Sequence, residues 1–192
     1  MIQREELSPL GYAELWIRDG GTTPRDAAFT PLLTAWLDDF TARGVTAVGF
    51  GYILVRRPAA DGVPLRRLER VTQPVSNVGA ALRAGLAAHD VLATGLPATL
   101  LVAPDVTEAR HLLPGNDDPS IIELRQGGGF ARTITVDPAL AGFVGACDGD
   151  LTVVQIVSAL ADLFEVPLVE LWADLEPRIR QLVLDGLLVP GE

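Results

Sequence analysis

VTAVGFGYILV, running from Val45 to Val55, is the stretch on which the fold turns. Val48, Phe50, Tyr52 and Leu54 alternate with Ala47, Gly49, Gly51, Ile53 and Val55. Both faces are apolar or small, the pattern of a central strand buried on two sides. Upstream, Thr30-Pro31 reads as a helix start, with Thr as N-cap and Pro at the first helical position. Leu32, Leu33, Trp36, Leu37 and Phe40 then recur at helical spacing. Asp38, Asp39 and Arg43 fall on the wet side, and Gly44 is the stop. A helix feeding a buried strand predicts an α/β sheet. Downstream, a Pro/Gly loop from Pro58 to Pro64 leads to an Arg-rich strand, Leu65 to Val71. The two strands are predicted to pair as an antiparallel hairpin.

Further along, Ser76 or Asn77 caps a helix carrying Val78, Ala81, Leu82, Leu86, Val91 and Leu92. Strand-like runs follow at Thr99–Ala103 and Ile121–Leu124. Gln126-Gly127-Gly128-Gly129 is a turn signal, and Ala131–Val136 is its return strand. From Pro138 the pattern turns helical. Leu140, Phe143 and Val144 begin a short helix that Gly149 breaks. Thr152 to Gln155 has the spacing of a capping box. Val153, Ile156, Val157, Leu160 and Phe164 form one apolar face. Leu171, Trp172, Leu175, Ile179, Leu182 and Val183 form another, with Pro177 expected to kink it or to mark a new first turn and Gly186 to stop it. Leu187-Leu188-Val189 closes the unit as a short strand. A hairpin, three short helices and a closing strand make a winged-helix-like outline. The boundary between domains is expected between Gly95 and Pro119.

The chain has 192 residues, of which 48% are hydrophobic, so one large or two small domains with a real core are expected. Net charge is -10 and every basic residue is arginine. An acidic surface repels phosphate backbones and anionic lipid, which argues against nucleic acid. A lone cysteine, Cys147, forbids an internal disulfide and suits a reducing cytoplasm. Met1 to Glu6 lacks the apolar core of a signal peptide, and every apolar run is broken by Arg, Asp, Gly or Pro. The expected location is cytoplasmic, without a membrane span.

Candidate chemistry is sparse. Gly49-Phe50-Gly51 lacks a third glycine at nucleotide-loop spacing and lies within a strand, so close packing explains it better. Gly127 to Gly129 can cradle an anion, but the strands on either side call for a turn. His89, His111 and Cys147 show no metal-ligand spacing, and Cys147 sits on an apolar helix face. No nucleophile elbow, P-loop or zinc-protease motif is present. Asp38-Asp39 reads as a solvated helix face; Asp117-Asp118 and Asp148/Asp150 read as turns. One charge feature stands out. Arg56, Arg57, Arg66, Arg67 and Arg70 gather around the predicted hairpin. Guanidinium groups grip phosphate and carboxylate through forked hydrogen bonds. The cluster is therefore a candidate contact for substrate or partner, with pairing to the chain's own carboxylates as the rival reading. From Pro138 to Glu192 nine acids face only Arg178 and Arg180, which suits protein contact rather than DNA.

Tyr12 to Gly21, Ala35 to Tyr52 with Arg56-Arg57-Pro58, Ala103 to Glu108 and Leu124 to Gly129 together resemble a known family. It is the C-terminal portion of actinobacterial class I S-adenosylmethionine-dependent methyltransferases of the HemK-like "small" group. In that family the cofactor loop and the catalytic Asn-Pro-Pro-Tyr-type motif lie upstream, so the resemblance carries no catalytic or cofactor-binding residue onto this chain. It implies that residues 1–75 are the terminal strands and helices of a Rossmann-like methyltransferase sheet. Residues 76–118 would be a helix and strand connector, and 119–192 the appended C-terminal domain. It also implies an orphaned sheet edge, a missing N-terminal segment as partner, and S-adenosylmethionine bound only by the intact enzyme. Cys147 to Gly149, Thr152 to Leu160 and Leu182 to Leu188 resemble PqqD-like peptide-recognition domains, small winged-helix modules that bind a peptide as an added strand. That resemblance implies a free-standing peptide-binding module, with the peptide laid along Ala131–Val136 and Ile134 as the expected ladder donor. A dimerisation domain, with the open sheet edge facing a second copy, is the third reading.

Overall fold

The computed structural model describes residues 1–57, 64–71 and 75–191. The chain is mixed α/β and divides into two compact units. The loop residues 58–63 between the two predicted strands lie outside the described residues.

The first unit spans Met1–Pro58 and Arg66–Thr72. Strand β1 (Ile2–Leu7) is the middle of a three-stranded sheet. Strand β2 (Val48–Tyr52) pairs with it antiparallel, and β3 (Glu69–Arg70) pairs with it parallel. Helix α1 (Pro9–Asp19) starts where the Ser8 hydroxyl accepts the Gly11 N–H at 3.1 Å, with Pro9 in its first turn. Helix α2 (Phe29–Ala42) packs on α1. Their facing side chains and the sheet enclose an aromatic cluster of Tyr12, Trp16, Trp36, Phe40 and Phe50, with the Trp36 and Phe40 ring centroids 5.4 Å apart.

Three expectations are corrected here. The Val45–Val55 strand is short, lies at the sheet edge and is not buried on both sides: Ile53 is 76% and Val55 84% exposed. The reason is β1, whose sequence IQREEL buries only Ile2 and so carries no apolar pattern, yet takes the central place. The Leu65–Val71 segment does not form a hairpin with β2; it contributes two residues in parallel to the far side of β1. Thr30 is not a cap, because α2 begins at Phe29 and its N-cap is Ala28.

The second unit spans Ala59–Leu65 and Gln73–Glu192. After α3 (Val78–Thr94) comes β4 (Thr99–Val102), the middle strand of an antiparallel sheet with β8 (Asp148–Thr152) and β9 (Leu188–Pro190). A second sheet is the meander β5 (Val106–Leu112), β6 (Pro119–Gln126) and β7 (Thr133–Val136). The Gly95–Pro119 stretch thus lies inside this unit. Helices α4 (Pro138–Gly145), α5 (Val153–Phe164) and α6 (Leu168–Asp185) follow. The capping box at Thr152 is present with Gln155. Pro177 is accommodated within α6, which runs unbroken to Gly186 at φ 78°.

The core of this unit joins Leu100 of β4, Ile122 and Leu124 of β6, and Val136 of β7 to the helices. From them it takes Phe143, Val157, Leu175, Ile179, Leu182 and Val183. The apolar periods read at Val153–Leu160 and Leu171–Val183 are the faces that fill it; Phe164, at the end of the first run, stays exposed. The closing strand does not pair with the hairpin. It pairs with β4, a strand outside the tail.

Candidate functional site

In the arginine cluster, Arg56 and Arg57 follow β2 and are exposed. Arg66 is exposed, Arg67 is half-buried, and Arg70 lies in β3. Arg67 pairs with Glu69. Arg70 Nη2 lies 2.8 Å from Glu6 Oε2, which also accepts from Gln3 Nε2 at 2.8 Å. Part of the cluster is therefore directed onto carboxylates of its own unit. An exposed pair of this kind contributes only about 0–1 kcal/mol, so an incoming phosphate or carboxylate can compete with it. One further arginine escaped sequence reasoning. Pairing of β1 with β2 brings Arg4 to Tyr52, its Nη1 3.3 Å from the phenol oxygen and its guanidinium 5.9 Å from the ring centre. No sequence signal marks Arg4, because β1 itself was not legible.

Both glycine motifs have structural roles. A methyl at Gly51 would overlap the Ile2 carbonyl oxygen across the β1–β2 ladder. Gly127 to Gly129 lie in the turn between β6 and β7, and that turn already holds an anion of the chain's own. The Asp105 carboxylate accepts the Gly128 N–H at 2.8 Å, and the Asp105 carbonyl accepts the Gly127 N–H at 2.8 Å. Gly129 at φ 57° and Ala131 at φ 49° close the turn in left-handed backbone.

The titratable candidates lie apart in the fold. Cys147 is buried beside α4, its thiol 3.3 Å from the Phe143 carbonyl. Burial, with the Asp148 charge beside it, pushes that thiol up to about 12, which leaves almost no thiolate at neutral pH. His89 neighbours Asp90 on α3. His111 Nε2 lies 3.1 Å from Glu123 on the outer face of the meander, and Arg125 Nη2 is 2.7 Å from the same carboxylate. Hydrogen bonds from Arg125 and His111 hold the Glu123 carboxyl below the ordinary range. Among the described residues no group of three His, Cys, Asp or Glu side chains could hold a metal ion. Among them, too, no helix is long and apolar enough to cross a membrane.

The turn end of the meander is clamped to the end of α6. Arg132 lies over the Phe130 ring at 4.6 Å and reaches buried Asp185 at 3.4 Å. Gln181 Nε2 donates to Asp185 Oδ2 at 2.9 Å, and Gln126 Nε2 donates to the Asp185 carbonyl at 3.3 Å. Beyond this clamp, β7 pairs only with β6 among the described residues, so its other edge is open to a strand. The Gln126 N–H donates to the Arg132 carbonyl, which sets the hydrogen-bonded pairs at 126/132, 124/134 and 122/136. The Ile134 N–H therefore belongs to the inner ladder. The outward donors are Thr133 and Thr135, a correction to the Ile134 expectation.

Two runs of exposed apolar residues stand out among the described residues. One is Tyr52 to Val55 in the first unit. The other is the turn between α5 and α6 in the second, where Leu163, Phe164, Val166, Leu168 and Val169 are all exposed. Fold and surface together define a mixed α/β chain whose outstanding features, among the described residues, are open sheet edges and exposed apolar runs. No family model matches the chain, and neither a curated protein nor a solved structure shows significant similarity to it.

Proposed function

We propose that this chain is a C-terminal accessory or substrate-recognition part of an S-adenosylmethionine-dependent methyltransferase, with cofactor binding and methyl transfer supplied by a segment outside it. The observation that carries this reading is the apolar edge of the first unit. Strand β2 ends a sheet, and Tyr52, Ile53, Leu54 and Val55 stand exposed along and beyond it. A contiguous apolar run on a sheet edge costs solubility unless another polypeptide covers it. A Rossmann-like sheet continuing across β2 would cover it, and the arginines beside that edge would then face substrate. Calorimetric titration of the isolated chain with S-adenosylmethionine tests the reading. The expected result is no heat from a folded chain. Micromolar binding would show that the chain builds its own cofactor site and would overturn the assignment.

The open edge of β7 favours a second reading, a winged-helix-like module that binds a peptide by strand addition. The order α4, β8, α5, α6, β9 supports that outline, with β4 standing where a winged helix has its own last strand. Thr135→Pro removes an outward donor and leaves the inner ladder intact. Loss of peptide binding in that variant supports this reading; unchanged binding rejects it.

A further inference from the structure

The turn between α5 and α6 is an unusual piece of surface. Every residue from Asp162 to Glu170 is exposed. Leu163 is 72% and Val169 79% exposed, with Phe164, Val166, Pro167 and Leu168 between them. Such a run is not a frayed end. The Val166 N–H donates to the Ala161 carbonyl at 3.0 Å and the Leu171 N–H to the Pro167 carbonyl at 3.1 Å, so both helix ends are tied and the apolar side chains are held outward. Glu165 sits at φ 55°, a left-handed position where glycine is the easier residue.

Charge decides what fits there. Asp162, Glu165 and Glu170 rim the apolar tip, and none of the three joins an ion pair among the described residues. The nearest cations along α6 are engaged elsewhere: Arg178 with Asp137 and Asp174, Arg180 with Glu176. An acidic rim around an apolar centre repels nucleic acid and anionic lipid and attracts a surface of opposite sign. We propose that the α5–α6 tip is a docking surface for a basic, amphipathic segment of a partner protein, whose apolar side chains cover Leu163, Phe164 and Val169 while its Lys or Arg residues meet Asp162, Glu165 and Glu170. This surface is independent of the methyltransferase reading.

The probe is a short synthetic peptide of leucine and lysine at amphipathic helical spacing, with a leucine/glutamate peptide of the same pattern as control. Binding to the full chain is read by fluorescence anisotropy. Saturable binding of the lysine peptide alone is expected, weakening as salt rises. The double variant L163S/V169S should weaken it about tenfold or more with an unchanged thermal midpoint, because both side chains are already in water. E165Q/E170Q should weaken it and flatten its salt dependence. Equal binding of the two peptides, no binding, or binding indifferent to both double variants would overturn the proposal. So would self-association that L163S/V169S abolishes, which makes a second copy the occupant, or tip-dependent binding to anionic vesicles.

Discussion

The Asp137 carboxylate accepts the Leu140 N–H at 2.9 Å, capping α4, and lies 2.7 Å from the Arg178 guanidinium of α6. Burial works against its ionised form, but the Leu140 N–H and the Arg178 charge outweigh that and hold the carboxyl below the ordinary range. Its folded value is lower than its unfolded one. The stabilisation is therefore present above the ordinary carboxylate range and lost as pH falls through the lowered value. Asp137→Ala is expected to cost about 1 kcal/mol at neutral pH, mostly through the lost cap, since the ion pair is part-exposed and screened. Urea midpoints for the two proteins should converge as the solution is acidified below the carboxylate range. A difference that persists in acid would mean the charge is not what Asp137 contributes. The Thr152–Gln155 box was legible from its spacing alone, because both partners lie within one turn of the helix start. Gly51 was only half legible. Its smallness suggested close packing, but the carbonyl it admits belongs to Ile2, far away along the chain.

At the scale of elements, the best-read helices are those with one continuous apolar face, α5 and α6. Their period is set by burial against a single core, and Pro177 does not break it because α6 is held by packing on both sides of the proline. The strands were harder. Neither β1 nor β5 carries an apolar alternation: β1 buries only Ile2, and β5 places Glu108 and Arg110 on the face that continues Ile122 and Leu124 of β6. Charges turned toward the core side of an edge strand discourage further pairing, which leaves β7 as the more open edge of that sheet. The end of α5 yields a sharp expectation. Glu165→Gly removes a side chain from left-handed backbone and should raise stability by about 1 kcal/mol, read as a higher thermal midpoint. Binding of the lysine peptide should fall in the same variant. A lower midpoint would mean that the Glu165 side chain contributes to the fold itself.

On the scale of the whole molecule, the large core belongs entirely to the second unit, and the first has its own aromatic cluster. A fragment of residues 75–191 is expected to fold by itself, with cooperative thermal unfolding and a near-ultraviolet circular dichroism signal from Trp172. A molten or unfolded fragment would mean that the second unit depends on the first. Within this unit, Asp185→Ala would leave the Arg132 guanidinium in a mostly buried site without its carboxylate and should cost roughly 3 kcal/mol by denaturant melting. The α/β class, the three helices of the tail, the capping box at Thr152, the stop at Gly186, the turn at Gly127–Gly129 and the acidic composition were all legible along the chain, whereas the stop read at Gly149 was not, because α4 ends at Gly145 and Gly149 lies in β8. The legible features follow from local spacing and from composition, which tertiary contacts do not alter. Long-range packing placed polar β1 mid-sheet and left β2 exposed. It also decided that β9 pairs with β4, that Asp105 fills the glycine turn, and that the apolar end of α5 faces water. Each of those depends on which distant segment reaches a position first and with what shape, and no period along the chain encodes that.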